Sequence, residues 1–148
     1  FDKIEKITGL NIVIAAHPKA YYYDKGDLFG NRKIYHNQNS FNLVKNAKIV
    51  LVHNSSAISQ SILLNKSMIF LTSDLFNKTA DGILTNKMAN FFNTKALNTN
   101  DDFDDLDSYY ASLDCYNNYK ESFIKQPGTI RKPFWNVVSD LIINISKN

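Results

Sequence analysis

Two short motifs bring together residue types that can handle a phosphate. His17-Pro18 follows the apolar run Asn11–Ala16, and Asn54-Ser55-Ser56 follows Lys48–His53. An imidazole titrates near neutrality, so His17 could give a hydrogen bond or a proton to a departing anion. Serine hydroxyls add neutral donors, and the first N–H groups of a helix lack intrahelical partners and carry a partial positive charge. Ile58, Ser61, Ile62 and Leu64 recur at helical spacing after Ser56, so the second motif opens a helix. Small side chains at Ser55, Ser56, Ala57 and Ser59 let a ligand come close to the backbone there. A phosphate-bearing ligand is the expectation. Each motif also has a plain alternative: His17 could bond a backbone carbonyl at a strand end, and Ser55-Ser56 could simply cap the helix.

Positioning these residues requires strands. Both apolar runs are short, rich in β-branched residues and free of polar alternation, which predicts buried parallel strands. Both motifs then sit at strand C-termini, the edge at which open α/β sheets bind ligands, and the two are expected to converge on one cleft. Pro18 stops the first strand because it cannot donate to a ladder. Tyr21 to Arg32, with three consecutive tyrosines and two glycines, suits an exposed excursion, and Lys33–His36 forms a short strand within it. Ser40 caps a helix over Phe41–Ala47 with Phe41, Leu43, Val44 and Ala47 on one face. Ser67–Thr72 is a third buried strand, so residues 48–72 make a β-α-β unit.

Further on, Ser73-Asp74 caps a turn, and Gly82 to Phe92 is a helix with Ile83, Leu84, Met88 and Phe91 inward. A short strand lies near Lys95–Asn98. The acidic run Asp101–Asp107 is expected to cap a helix over Tyr109–Lys125. Pro133 begins a closing helix from Phe134 to about Ser146. These elements predict one α/β domain over residues 1–148: a Rossmann-like, three-layer fold with a mainly parallel sheet and a C-terminal closing helix.

Composition narrows the function classes. A net charge of +3 dispersed among Asn, Asp and aromatic residues does not form the basic stripe that nucleic acid requires. One cysteine, Cys115, rules out an internal disulfide, and three scattered histidines give no zinc-type spacing, so no metal or cofactor is expected. The cysteine usage points to a reducing, cytoplasmic setting. No apolar stretch approaches a membrane span. Beginning at Phe1 without a leader, the chain reads as an excised piece of something longer.

Taken in order, His17-Pro18, Ser40-x-x-Leu43-Val44, Val50–Ser56, Ile62–Lys66 and Ile69-Phe70 resemble the C-terminal half of a GT-B glycosyltransferase. The similarity is to the bacterial branches that build capsules and lipooligosaccharides, sialyltransferase-like or Kdo-transferase-like, with an HP motif and a later Ser-Ser motif. It covers roughly Asn11 to Leu71. The resemblance implies a donor-binding domain for a CMP- or UDP-sugar. It gives His17 contact with the donor nucleotide and its phosphate, Pro18 the shaping of that loop, and Ser55 and Ser56, beside Asn54, the hold on the phosphate. It further implies that a general base and the saccharide acceptor site belong to an N-terminal half, that the isolated chain transfers no sugar, and that the full-length protein associates peripherally with the inner face of the membrane. Asp81-Gly82 falls on the wrong side of the Ser-Ser motif to supply the acidic motif of that family. A sugar-nucleotide epimerase shares the architecture but has a glycine-rich turn where Ser55-Ser56-Ala57 stands, and a non-catalytic interaction module remains the third reading.

Overall fold

The computed structural model describes residues 1–17, 20, 22, 26–36, 40–130 and 132–145. Five strands run in order through it: β1 Ile14–Ala15, β2 Ile34–Tyr35, β3 Ile49–Val52, β4 Ser67–Thr72 and β5 Leu97–Asn98. Six helices accompany them: α1 Asp2–Thr8, α2 Ser40–Asn46, α3 Ala57–Leu63, α4 Ala80–Phe91, α5 Cys115–Tyr119 and α6 Phe134–Ile145. The strands form two parallel ladders, β1-β2 and β3-β4-β5. The architecture is therefore α/β and Rossmann-like, as the run of strands and helices predicts.

The β3-α3-β4 unit forms as expected because each of its parts is locally consistent. Ile49 to Val52 align with Ser67 to Phe70 in parallel register. Asn65 ends the intervening helix at φ 49°, a left-handed conformation that asparagine tolerates better than most residues. Alternate side chains of the two strands enter opposite cores. Val50, Val52, Met68 and Phe70 pack with Ile58, Ile62, Ala89 and Phe92 beneath α3 and α4. Leu71 and Ile69 pack with Ile4 of α1, Leu97 and Leu106 on the other face, with Ile49, Leu51 and Ile12 partly buried beside them. Both faces of β4 are thus covered, which is why Met68 to Thr72 are all buried and the strand shows no polar alternation. The second edge of β4 is shared, with β5 pairing at Leu71 and Thr72 and an antiparallel bridge joining Ile69 to Tyr110.

Four expectations are corrected. The first apolar run is not a buried strand: only Ile14–Ala15 pair, with β2 alone, and Val13 is exposed. Paired only with a two-residue strand, the run alternates exposed and half-buried residues, with Ile12 against the second core. In α4 Met88 and Phe91 pack partly buried against the core as expected, but the fully buried residues are Gly82, Thr85 and Ala89, while Ile83 and Leu84 face outward. Gly82 dictates this, since a Cβ on it would lie 1.9 Å from the Phe76 carbonyl oxygen, and the helix can approach that turn so closely only on its glycine face. Thr85 tolerates burial by donating to the Asp81 carbonyl at 2.8 Å. In α2 only Val44 is buried, and the Ser40 hydroxyl accepts a hydrogen bond from the Gln60 amide at 3.1 Å. Finally, the acidic run does not cap one long helix over Tyr109–Lys125: it leads into a single 3-10 turn, Asp107–Tyr109. Asp102 and Asp105 bond the nearby backbone N–H groups of Phe103 and Asp107, Lys3 pairs with Asp102 and Asp104, and α5 starts only at Cys115.

The N-terminal helix α1 has no counterpart in the periodicity reading, because only Ile4 of it is buried and so short a stripe leaves little pattern. The C-terminal helix α6 forms where Pro133 predicts it, and the Pro133 carbonyl accepts from Asn136 and Val137. None of its described residues is buried. Among the described residues, no helix is long and apolar enough to cross a membrane.

Candidate functional site

The C-terminal edge of the three-stranded sheet gathers the most chemistry. The chain leaves β3 at Val52 and enters His53-Asn54-Ser55-Ser56, all exposed, before α3 begins at Ala57. The Ser55 hydroxyl accepts from the Ala57 N–H at 3.3 Å, a local turn bond. Ser56 lies in helical conformation at φ −61°, and its hydroxyl makes no capping bond to the helix. A Ser55 turn bond and an Ser56 oxygen outside the cap are different roles, so the pair does not act simply as a double cap.

His53 holds the turn down. Its Nδ1–H donates to the Leu71 carbonyl at 2.8 Å, and its ring meets Phe76 edge-on at 5.1 Å. A carbonyl only accepts, so Nδ1 carries the proton and Nε2 is left on the other side of the ring. Asn54 donates to the Asp81 carboxylate at 3.3 Å, linking the end of β3 to the first turn of α4.

The neighbouring strand ends add amides and carboxylates. Asp74 follows β4 by two residues, and its carboxylate accepts from Asn98 at 2.8 Å; Asn98 also donates to Asp101 at 3.2 Å. The Asp74 N–H donates to the Asn100 side chain at 3.0 Å, and Thr99 donates its N–H to the Thr72 carbonyl at 2.9 Å. Below them Thr72 and Asn86 both donate to Asn77. The edge is therefore hydroxyl- and amide-lined with carboxylates at Asp74, Asp81 and Asp101. Such a surface suits a ligand that offers its own hydroxyl donors as well as any anion taken by the serines. The motif reading missed Asp74 and passed over Asp81. The available signal for Asp74 was its position directly after an apolar strand, the same relation that singled out Asn54.

His17 stands elsewhere in the strand order. It is exposed, follows β1, and its carbonyl accepts from the Ala20 N–H at 2.8 Å. Pro18 lies outside the described residues, as do Lys19, Tyr21 and Tyr23. His17 and Asn54–Ser56 thus end strands of two different ladders. Tyr22 packs edge-on against Phe29 at 5.4 Å.

Arg32, at the end of the excursion after β1, serves as a structural clamp. Its guanidinium pairs with Asp2 and with Glu5, the latter at 2.5 Å, and donates to the Phe29 carbonyl at 2.8 Å. Hydrogen bonds from Arg32 hold the Asp2 and Glu5 carboxyls below the ordinary carboxylate range, and the Ile12 N–H adds to the effect on Glu5. Among the described residues, no three His, Cys, Asp or Glu side chains are grouped to hold a metal ion. No family model matches the chain, and neither a curated protein nor a solved structure matches it.

Proposed function

We propose that this chain binds a nucleotide-sugar, of the CMP or UDP type, as the donor-binding part of a glycosyltransferase in bacterial surface polysaccharide biosynthesis. The observation that carries the reading is the exposed Asn54-Ser55-Ser56 turn at the C-terminal end of a parallel strand, opening a helix with a Ser56 hydroxyl outside the cap. In α/β sheets that edge is where ligands bind, and backbone N–H groups with serine hydroxyls there suit a phosphate. The carboxylate two residues past the next strand fits the second half of a nucleotide. Asp74 follows β4 as Ser55-Ser56 follow β3, and an acidic residue at the neighbouring strand end is the usual partner of ribose hydroxyls in such folds. The resemblance of residues 11–71 to the HP and Ser-Ser motifs supports the same donor class.

Chemically, the serines would hold the phosphate that joins sugar to nucleotide. When the bond from the anomeric carbon to that phosphate's oxygen breaks, the electron pair stays on the oxygen and the nucleotide leaves as CMP or UDP, with its new charge on the serine side. His17, to which the resemblance gives a part in holding that charge, ends a strand of the other ladder. Charge stabilisation by fixed donors is worth most where it meets the developing anion. Calorimetric titration with CMP, UDP and CDP tests the reading. At least one should bind, and Ser56→Ala should weaken it by about 1–3 kcal/mol, one or two charge-assisted hydrogen bonds, with an unchanged melting temperature. Absence of binding by all three nucleotides, or an affinity loss matched by a loss of fold stability, would overturn it.

A further inference from the structure

His53 is the one histidine that shares a turn with Ser55 and Ser56, and the fold fixes its ring. It directly follows Val52, the last residue of β3. Its Nδ1–H donates to the Leu71 carbonyl at 2.8 Å, and Phe76 meets the ring edge-on at 5.1 Å. Two contacts from different segments stop the ring from turning over, and the carbonyl bond requires the hydrogen on Nδ1. Nε2 therefore carries the lone pair of the neutral ring. The residue is exposed, and Nε2 has no partner among the described residues. A backbone anchor on one ring nitrogen decides which nitrogen is left to act.

The charged groups on the segments packed around the ring are Asp74 and Lys78, two residues to either side of Phe76, and Asp81 in the first turn of α4. The two carboxylates already accept elsewhere, Asp74 from Asn98 at 2.8 Å and Asp81 from Asn54 at 3.3 Å. A neutral Nε2 only accepts, as they do. With a proton it becomes a cationic donor on the same turn as the Ser56 hydroxyl, which makes no capping bond of its own. His17, to which the resemblance gives the phosphate contact, ends a strand of the other ladder.

We propose that His53 is the cationic phosphate contact of the nucleotide site: Nε2 takes up a proton from solvent as the ligand binds and donates a charge-assisted hydrogen bond to the phosphate that the serines hold. The inference rests on the nucleotide reading above. Protonation leaves the anchor intact, since Nδ1 keeps its hydrogen and Leu71 its bond in both states. A donor held in place before the ligand arrives loses little freedom on binding and needs no reorganisation as charge develops. When the bond from the anomeric carbon to the phosphate oxygen breaks, the electron pair stays on that oxygen and the Nε2–H hydrogen bond meets the added charge. The ring forms no covalent bond and keeps its proton through the step.

The chain has three histidines, so long-range proton–nitrogen spectra of the whole isotope-labelled chain resolve each ring nitrogen. Slightly above the ordinary imidazole value, His53 without ligand should show a hydrogen on Nδ1 and a bare Nε2, and saturation with UDP or CMP should move Nε2 towards the protonated position. His53→Asn, whose amide can still donate to the Leu71 carbonyl, should bind UDP or CMP about tenfold more weakly, the scale of one charged hydrogen bond, with an unchanged melting temperature. The spectra are of the native chain, so they decide the matter even where the variant fails to fold. A nucleotide that binds while Nε2 stays bare leaves His53 as a structural residue or a hydroxyl acceptor and overturns this inference alone. Undiminished affinity in a folded His53→Asn, or a free ring with its hydrogen on Nε2, does the same. Absence of binding by both nucleotides overturns the nucleotide reading and this inference with it.

Discussion

Tyr116 shows how much one side chain can settle. It is 2% exposed, its ring meets Phe92 edge-on at 5.8 Å, and its hydroxyl donates to the Lys66 carbonyl at 2.7 Å, just before β4 begins. Burial pushes its phenol up to about 12 from the ordinary value of 10.0. Because the folded pKa is raised, the folded state keeps this proton where the unfolded chain has lost it. Stability is whole below the unfolded pKa and falls as pH rises from about 10 to about 12, by about 2–3 kcal/mol in all. Urea unfolding across that window should show the loss in the native chain. Tyr116→Phe should start about 1 kcal/mol lower at neutral pH, from the missing hydrogen bond, and lose less on the alkaline side. Parallel pH profiles for the two proteins would refute the assignment. Composition and periodicity do not single out this tyrosine among the eight in the sequence, because its partner is 50 residues away in the chain.

The element that departs furthest from its pattern is α4. Ile83 and Leu84 have the right spacing for a core face, yet Gly82, Thr85 and Ala89 occupy it. Apolar periodicity assumes that the largest apolar groups win the interior. Here a backbone contact outranks them, since the Phe76 carbonyl admits no Cβ at position 82. Gly82→Ala should therefore destabilise the protein by about 1–3 kcal/mol or more through overpacking, although alanine is the better helix former by about 1 kcal/mol. Thermal melting of that variant decides between the two effects, and a raised melting temperature would show that propensity prevails. The same turn positions Asp81 beside Asn54, so the variant should also reduce nucleotide affinity if the proposed site is correct.

At the scale of the molecule, two kinds of cohesion meet. The β3-β4-β5 sheet is held by apolar side chains on both faces. The N-terminal part adds ion pairs to the apolar anchor that Ile4 and Ile12 provide. Glu5 accepts from Ile12 N–H at 2.6 Å and pairs with Arg32, tying α1 to the approaches of β1 and β2, while Lys3 reaches Asp102. The Glu5, Asp2 and Asp102 carboxyls are all held below their ordinary range, by Arg32 or Lys3 first. A lowered folded pKa gives stability that is present above the ordinary carboxylate range and is lost as pH falls through the folded value. Amide protection in β1 and β2, corrected for intrinsic rates, should thus fall between about pH 5 and pH 2 while protection in β4 persists. Glu5→Gln should produce much of that loss already at neutral pH. Loss of protection in all strands together would contradict this division.

The sequence by itself determined the β3-α3-β4 unit and its exposed Asn54-Ser55-Ser56 turn. Those residues agree locally in propensity, in apolar pattern and in the Asn65 stop, and each contact they need lies within a few turns of chain. It likewise located α6 from Pro133 and the apolar residues after it. What only the tertiary structure decided depended on partners distant in sequence. The Asn11–Ala16 run has strand composition, but its width and burial were set by having β2 as neighbour, not β3. Arg32 became a clamp because Glu5 and Asp2 fold back onto it, and Asp74 became part of a polar edge because β5 brings Asn98 beside it. A local pattern records what each segment can do. Which charge is neutralised, and which apolar face is covered, is fixed only when segments remote along the chain compete for the same space.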